Sequence, residues 1–128
     1  DDTAVAAARH GIEFASASGM QGQQLVFQAL LAERLAKLGD TSQAVWLARD
    51  SWRLMADFCP GLVYRGVVWR ALIEVLEQRD TALARAIAHH AADWIFRTAT
   101  EHVPPAYRES FLHRNPFNAF LLGKVRER

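Results

Sequence analysis

An internal repeat of 40 residues is the feature that most constrains the fold of this chain. A pair of alanines four positions apart occurs three times at this interval, as Ala4/Ala8, Ala44/Ala48 and Ala84/Ala88. Arg9 recurs in the same register as Arg49. A repeat of this length with helical periodicity throughout is typical of an α-solenoid, in which each unit buries its apolar face against its neighbours.

Each of the two later copies begins with residues typical of a helix N-terminus. Asp40-Thr41 recurs as Asp80-Thr81, and an aspartate in such a position accepts hydrogen bonds from the first backbone N–H groups of a helix. Gly39, just before the first of these pairs, suits the left-handed conformation that ends the preceding helix. Alanines four apart lie on one helix face, where their small size lets a neighbouring helix approach closely. The alanine stripe is therefore predicted to be the inner packing face.

Apolar periodicity and helix-breaking residues predict five principal helices and a separate C-terminal segment. The helices are expected at about 2–17, 22–38, 41–58, 62–79 and 81–100, with a stop at Pro60-Gly61. Residues 1–103 then form a half-unit (1–17) and two helical hairpins (22–58 and 62–100), and 104–128 complete the same domain. The predicted fold is all-α, a right-handed superhelix of antiparallel helical hairpins with a C-terminal capping helix. Because the first helix has no hairpin partner, we expect the chain to be a fragment of a longer protein.

The turn between the second and third helices resembles the tetratricopeptide repeat. The likeness rests on Ala32, Leu35, Gly39-Asp40 and the alanine pair of the third helix. The second unit keeps Asp80 and its alanines but has Arg79 where the turn glycine would be. Its spacing exceeds the repeat of about 34 residues in that family. The resemblance is thus to a long, irregular repeat, and it implies a surface for a protein or peptide partner.

A second resemblance lies in residues 103–116, which read Val-Pro-Pro-Ala-Tyr-Arg-Glu-Ser-Phe-Leu-His-Arg-Asn-Pro. This segment is similar to the end of the helical-repeat region in large bacterial ATP-dependent regulators. That group includes LuxR-type transcriptional activators and related proteins with an AAA-type ATPase or nucleotide-cyclase domain. The resemblance implies a sensor or autoinhibitory surface, with a P-loop ATPase elsewhere in the parent chain, because these residues hold no Gly-rich phosphate-binding motif.

The C-terminal segment is predicted to cap the last hairpin. Asn115-Pro116 is a favourable helix start, and Phe117, Phe120 and Leu121 then form an apolar i, i+3, i+4 stripe that can cover a solenoid end. In the alternative interpretation, the charged residues of the segment form a docking surface: Arg108, Glu109 and Arg114.

Composition narrows the classes of function. The net charge is +1, without the clustered basic residues that phosphate backbones require, so no direct nucleic-acid contact is expected. No apolar run approaches the roughly 20 residues of a membrane span, and Cys59 is the only cysteine, which favours a reducing, cytoplasmic setting. His89-His90 places two imidazoles on different helix faces and has no further ligand motif, so no metal or cofactor is predicted.

The first helix of each hairpin is expected to line a concave partner-binding surface. Counting back from the two aspartate turns places one set of side chains there: Val26, Ala29, Glu33, Lys37, Trp69, Ile73 and Glu77. Trp69 would be an aromatic anchor with a charged rim, the usual layout of an interface hot spot. A register shift of one residue would instead rotate Trp69 into the core. The other three tryptophans are expected to pack in the interior: Trp46, Trp52 and Trp94.

The sequence therefore predicts a protein-interaction or regulatory module of a larger bacterial transcriptional regulator or signalling protein. Its partner would be a protein or peptide, including another domain of the same parent chain. Two alternatives remain at this point. One is a small helical nucleic-acid-binding domain, and the other is an enzyme whose site is assembled from scattered polar residues.

Overall fold

The structure, a computed structural model, describes residues 2–58 and 65–126. This part of the protein is built from α-helices. The helices are α1 (Thr3–Ala17), α2 (Gln21–Lys37), α3 (Thr41–Phe58), α4 (Arg65–Leu76), α5 (Thr81–His102), α6 (Pro105–His113) and α7 (Pro116–Arg126). These residues include no β-strand, so the all-α prediction is confirmed. No helix within them is long and apolar enough to cross a bilayer.

Helix ends follow the sequence signals closely at the first three helices and at the start of α5. Asp2 caps α1 by accepting a 3.0 Å hydrogen bond from the Val5 amide, and Asp80 caps α5 through the Leu83 amide at 3.2 Å. Gly39 has a φ of +91°, the left-handed conformation predicted for it. α4 ends at Leu76, three residues before the prediction. The predicted start of this helix at 62, the stop at 60–61 and the cysteine at 59 lie outside the described residues.

α2 and α4 occupy the centre of the molecule. α2 packs against α1, α3 and α4, and α4 packs against α2, α3, α5 and α7. The largest fully buried aliphatic side chains come from these two helices and their neighbours, and they include Leu31, Leu72, Leu76, Ile87 and Leu121. Each such side chain contributes about 1.5–3 kcal/mol when it is removed from water. α2, α4 and α7 thereby form a connected row that positions the surface described below.

The alanine stripe is the inner packing face in two of its three copies. Ala44 and Ala48 are fully buried, and Ala84 and Ala88 are 4% and 3% exposed. In the first copy Ala8 is buried, whereas Ala4 is exposed. Within the described chain, α1 packs against α2 and no other helix, so the side of α1 that carries Ala4 has no second helix to cover it. The prediction is wrong for Ala4 for this reason.

The C-terminal helices close one side of α4 and α5. The Asn115 side chain accepts hydrogen bonds from the amides of Phe117 (3.0 Å) and Asn118 (3.1 Å), which confirms the predicted N-cap. Leu121 is fully buried, and α7 packs against both α4 and α5. Gly66 permits this approach, because a Cβ atom there would lie 2.9 Å from the Cβ of Phe117.

Arg108 holds the end of α5 rather than presenting its charge to a partner. Its Nε donates to the carbonyl oxygens of Ala99 (2.8 Å) and Val103 (3.1 Å), and its Nη2 donates to that of Thr100 (3.0 Å). The last carbonyls of a helix lack partners within the helix, and the guanidinium supplies them. Arg108 therefore has a structural role that the docking alternative did not include.

Candidate partner-binding groove

A groove runs between the C-terminal ends of α2 and α4. Its first hollow has a volume of about 270 Å³ and brings Glu33 and Lys37 of α2 opposite Glu74 of α4 and Glu77 of the turn that follows α4. The start of α3 forms its floor, where Ala44 contributes the smallest side chain. These residues lie on the faces of α2 and α4 that other helices leave uncovered.

The groove continues past Glu77 toward α7. A second hollow, of about 300 Å³, shares Glu77 and Gln78 with the first and adds Arg85 of α5 and Lys124 of α7. The two hollows together form the groove. Its walls carry charges of both signs, so it suits a mixed polar and apolar protein segment better than a uniformly charged polymer.

Two ion pairs lie along the groove. Lys124 Nζ lies 2.9 Å from Glu77 Oε2, which ties α7 to the turn that follows α4. Within α4, Arg70 Nε lies 2.9 Å from Glu74 Oε1. Pairs as exposed as these contribute about 0–1 kcal/mol each, so a partner can exchange them for its own charges at small cost.

An aromatic ring lies between two cations at the α7 end of the groove. The guanidinium of Arg70 is 4.6 Å from the ring centroid of Phe120, and Lys124 Nζ is 5.2 Å from it. Each contact of this kind contributes about 0.5–1 kcal/mol at an exposed site. Phe120, expected only as part of the cap, therefore also contacts Lys124, which lines the second hollow.

Four of the seven predicted partner-binding residues lie at the surface. Glu33, Lys37 and Glu77 line the first hollow. Val26 is half-buried on α2, and its position shares a helix face with Glu33 and Lys37. The expected exposure of these four residues is confirmed, and their contact with a partner stays a prediction.

The other three predicted residues are buried and form no anchor for a partner. Trp69 and Ile73 are each 1% exposed, and Ala29 is fully buried. Ile73 reaches the floor of the second hollow, but the predicted exposed tryptophan is wrong. α4 has neighbours on several sides, and the face containing Trp69 is turned toward α5.

On α4 the exposed face is shifted by one residue from the count, and on α2 Ala29 alone among the four predicted residues is buried. On α4, Arg70 and Glu74 stand at the surface next to the predicted Trp69 and Ile73, and on α2, Leu30 stands there with 40% of its surface exposed. The alternative register, with Trp69 in the core, is the one that the fold adopts.

Trp69 belongs to an aromatic cluster between α4 and α5. Its ring lies 5.6 Å from that of Trp94 and 5.8 Å from that of His90, both edge to face. Trp52 of α3 meets the other side of His90 at 5.3 Å. Trp52 and Trp94 are partly buried against the core, as predicted. Trp69 Nε1 is buried and has no hydrogen-bond acceptor among the described residues.

Trp46 does not pack inside, contrary to the prediction. It is 63% exposed and shares the surface of α3 with Ser42, Arg49 and Arg53, all of them exposed. These positions are spaced by three or four residues, so the polar character of the face indicated its exposure. The prediction of a buried Trp46 rested on its aromatic side chain alone and did not consider the polar residues on the same face.

Comparisons of the chain with protein-family models, with curated protein sequences and with solved structures give no significant match. Within residues 2–58 and 65–126, no three His, Cys, Asp or Glu side chains lie close enough together to hold a metal ion. Function is therefore inferred from the side chains that the fold brings together.

Proposed function

We propose that this protein is an interaction module that binds a segment of a partner protein in the groove. The observation that carries the proposal is that Glu33 and Lys37 of α2 lie across an open hollow from Glu74 of α4 and from Glu77, just after α4. Helix-lined grooves with apolar floors and charged walls recognise peptide segments through a few side chains each. The groove continues over α7, which gives it a length suited to a segment rather than to a single side chain.

We further propose that the helices form a right-handed, tetratricopeptide-like solenoid of antiparallel hairpins. The row of contacts from α2 to α4 to α7 supports this arrangement, since first helices of successive hairpins line the concave face of such a solenoid. In this proposal α7 stands in the position of a third first helix and carries the groove onward.

The biological setting that we propose is a cytoplasmic regulatory region of a larger bacterial protein. The resemblance of residues 103–116 to the end of the helical-repeat region in ATP-dependent transcriptional regulators supports it. The bound segment is then part of a signalling partner or of another domain in the same parent chain, and its release or capture would switch the parent protein.

The test is a selection of binding peptides from a random display library, followed by affinity measurements on charge-reversed proteins. Lys37→Glu and Glu33→Lys change the groove wall at positions that are exposed or half-exposed. We expect each reversal to weaken the selected peptides by roughly tenfold or more, as for charges that meet a complementary partner. The melting temperature should stay close to that of the wild type, because surface substitutions usually change stability by less than about 0.5 kcal/mol.

The matched control is Arg97→Glu, a charge reversal on an exposed position of α5 that lines neither hollow. Its affinity for the selected peptides should equal that of the wild type. Peptides that bind the groove variants and the wild type equally well would contradict the proposal. A library that yields no specific binder would contradict it as well.

A further inference from the structure

A cleft separate from the groove lies on the other side of α2. Gln28 and Leu31 form its floor, and both are on the face of α2 opposite to Glu33 and Lys37. α1 and α3 form its walls; each packs against α2, but the two do not pack against each other. The cleft has a volume of about 360 Å³, within the range of small ligand sites, which begins at about 300 Å³.

The cleft combines an aromatic wall with a polar floor. Trp46, exposed over most of its surface, stands at its edge, and Ile12 and Leu47 supply apolar surface within it. Gln28 is 5% exposed, and its Nε2 donates to Asp50 Oδ2 at 3.2 Å. A buried amide that fixes a carboxylate at the base of a cleft prepares an acceptor for a donor from outside.

The second copy of the repeat contains its own tryptophan at the corresponding place. Forty residues after Ile12 and Asp50 stand Trp52 and His90, and the Trp52 ring lies against His90 with 5.3 Å between ring centroids. The second copy thus covers the position with an indole from its own α3. In the first copy the shorter side chain of Ile12 leaves the surface around Asp50 open as the cleft.

We propose that this cleft binds a tryptophan side chain of a partner protein. The guest indole lies over Asp50 as Trp52 lies over His90, with its ring against Trp46, Ile12 and Leu47. Offset or edge-to-face aromatic contacts of this kind contribute about 0.5–1.5 kcal/mol beyond the area that they bury. The proposal concerns a different face from the groove and stands on the repeat, whichever segment the groove binds.

The polar floor selects tryptophan over phenylalanine. An indole has one N–H donor and no acceptor, and an ionised carboxylate has about four lone-pair sites. Asp50 accepts from Gln28 and from Arg53 and keeps 20% of its side chain exposed, so it has capacity for one more donor. A phenylalanine ring would cover the carboxylate without a hydrogen bond, which is costly.

The test uses N-acetyl-L-tryptophanamide as the probe, titrated into the ¹⁵N-labelled protein and followed by NMR. We expect weak, saturable binding, since a single side chain has few atoms to contribute, with shifts concentrated in the amides of α1 and α3 around the cleft. N-acetyl-L-phenylalaninamide should bind roughly tenfold more weakly, because it offers no donor to Asp50.

Ile12→Trp is the decisive variant, because it installs the side chain of the second copy. It should abolish binding of the probe and raise the melting temperature by filling the cleft. Trp46→Ala is a second variant, at an exposed position whose replacement does not threaten folding. It should weaken binding of the probe roughly tenfold, because the ring contact is lost. Phe96→Ala removes another exposed aromatic ring, on α5, and serves as the control that leaves binding unchanged.

The outcomes separate the proposal from its alternatives. Probe shifts that are absent, or that persist in both Ile12→Trp and Trp46→Ala, would overturn it. Free L-tryptophan that binds far more tightly than the capped amide would also overturn it, in favour of a small-molecule site, because a peptide presents no free ammonium or carboxylate there. Lys37→Glu in the groove should leave the probe unaffected, so failure at one site does not mimic failure at the other.

Discussion

Arg49 of α3 is ion-paired with Asp80, the residue that caps α5, with 3.1 Å between Arg49 Nη2 and Asp80 Oδ2. One repeat earlier, Arg9 of α1 donates to the side-chain amide oxygen of Gln43 in the first turn of α3. The same position of the repeat therefore links one helix to the start of the next-but-one helix. In the second copy the acceptor is also the helix cap, so Asp80 has two functions.

Substitutions at Asp80 separate these two functions. Asp80→Ala removes both the cap and the ion pair, so it should cost about 1 kcal/mol of unfolding free energy for the cap and about 0.2–1 kcal/mol more for the pair. Asp80→Asn keeps a capping oxygen, and Arg49→Met keeps the whole cap, so both should cost about 0.2–1 kcal/mol, as for an exposed ion pair. Urea denaturation measures all three. Equal losses in Asp80→Ala and Arg49→Met would show that the cap adds nothing beyond the pair.

The alanine stripe supplies its own control. Ala44→Leu and Ala84→Leu place a larger side chain at buried helix contacts and should each destabilise the protein by about 1–3 kcal/mol. Ala4→Leu makes the same change at the equivalent but exposed position and should be nearly neutral. Thermal unfolding of the three variants checks this order. A destabilised Ala4→Leu protein would mean that the start of α1 is covered after all.

The sequence predicted helix ends well because they are set locally. The caps Asp80 and Asn115 and the left-handed Gly39 each act through backbone groups within a few residues, so the pattern of neighbours is enough to find them. The same holds for the exposure of Glu33, Lys37 and Glu77, which lie near the turns that mark the register, whereas their contact with a partner stays a prediction.

The sequence did not predict which face of α4 is exposed, for two reasons. The count back from Asp80 crosses residues 77–80, which are not helical, so the rotation of 100° per residue does not hold there. Seven of the twelve residues of α4 are also buried, since the helix has neighbours on most sides. Arg70 and Glu74 mark its exposed face. The close approach of α7 to α4 at Gly66 depends on Phe117, about 50 positions further along the chain.

Trp69 is predicted from the structure to act on stability rather than on partner binding. Trp69→Ala should cost about 3–5 kcal/mol, the usual value for a buried large aromatic side chain. Trp69→Phe should cost clearly less, because it preserves most of the ring and also removes an indole N–H that has no acceptor among the described residues. Urea denaturation gives both values. An alanine variant as stable as the wild type would contradict the buried position of Trp69.

The pair of Asp2 and Arg34 makes the stability of the α1–α2 contact depend on pH. Arg34 Nη2 lies 2.6 Å from Asp2 Oδ2, and this hydrogen bond, with that from the Val5 amide, lowers the pKa of Asp2 from its usual value. Since the folded pKa is the lower one, the pair stabilises the protein above the unfolded pKa, and this contribution is lost as the pH falls through the folded pKa.

Asp2→Asn keeps a capping oxygen but has no charge, so it is the matched control for this titration. The melting temperature of the wild type should exceed that of Asp2→Asn near neutral pH, and the difference should shrink as the pH falls below about 4, the normal range of an aspartate. Added salt should reduce the difference at neutral pH, because both side chains are accessible to solvent. Other carboxylates titrate equally in the two proteins, so the difference between their melting temperatures isolates Asp2. A difference that stays constant down to strongly acidic pH would show that Arg34 does not stabilise the ionised form.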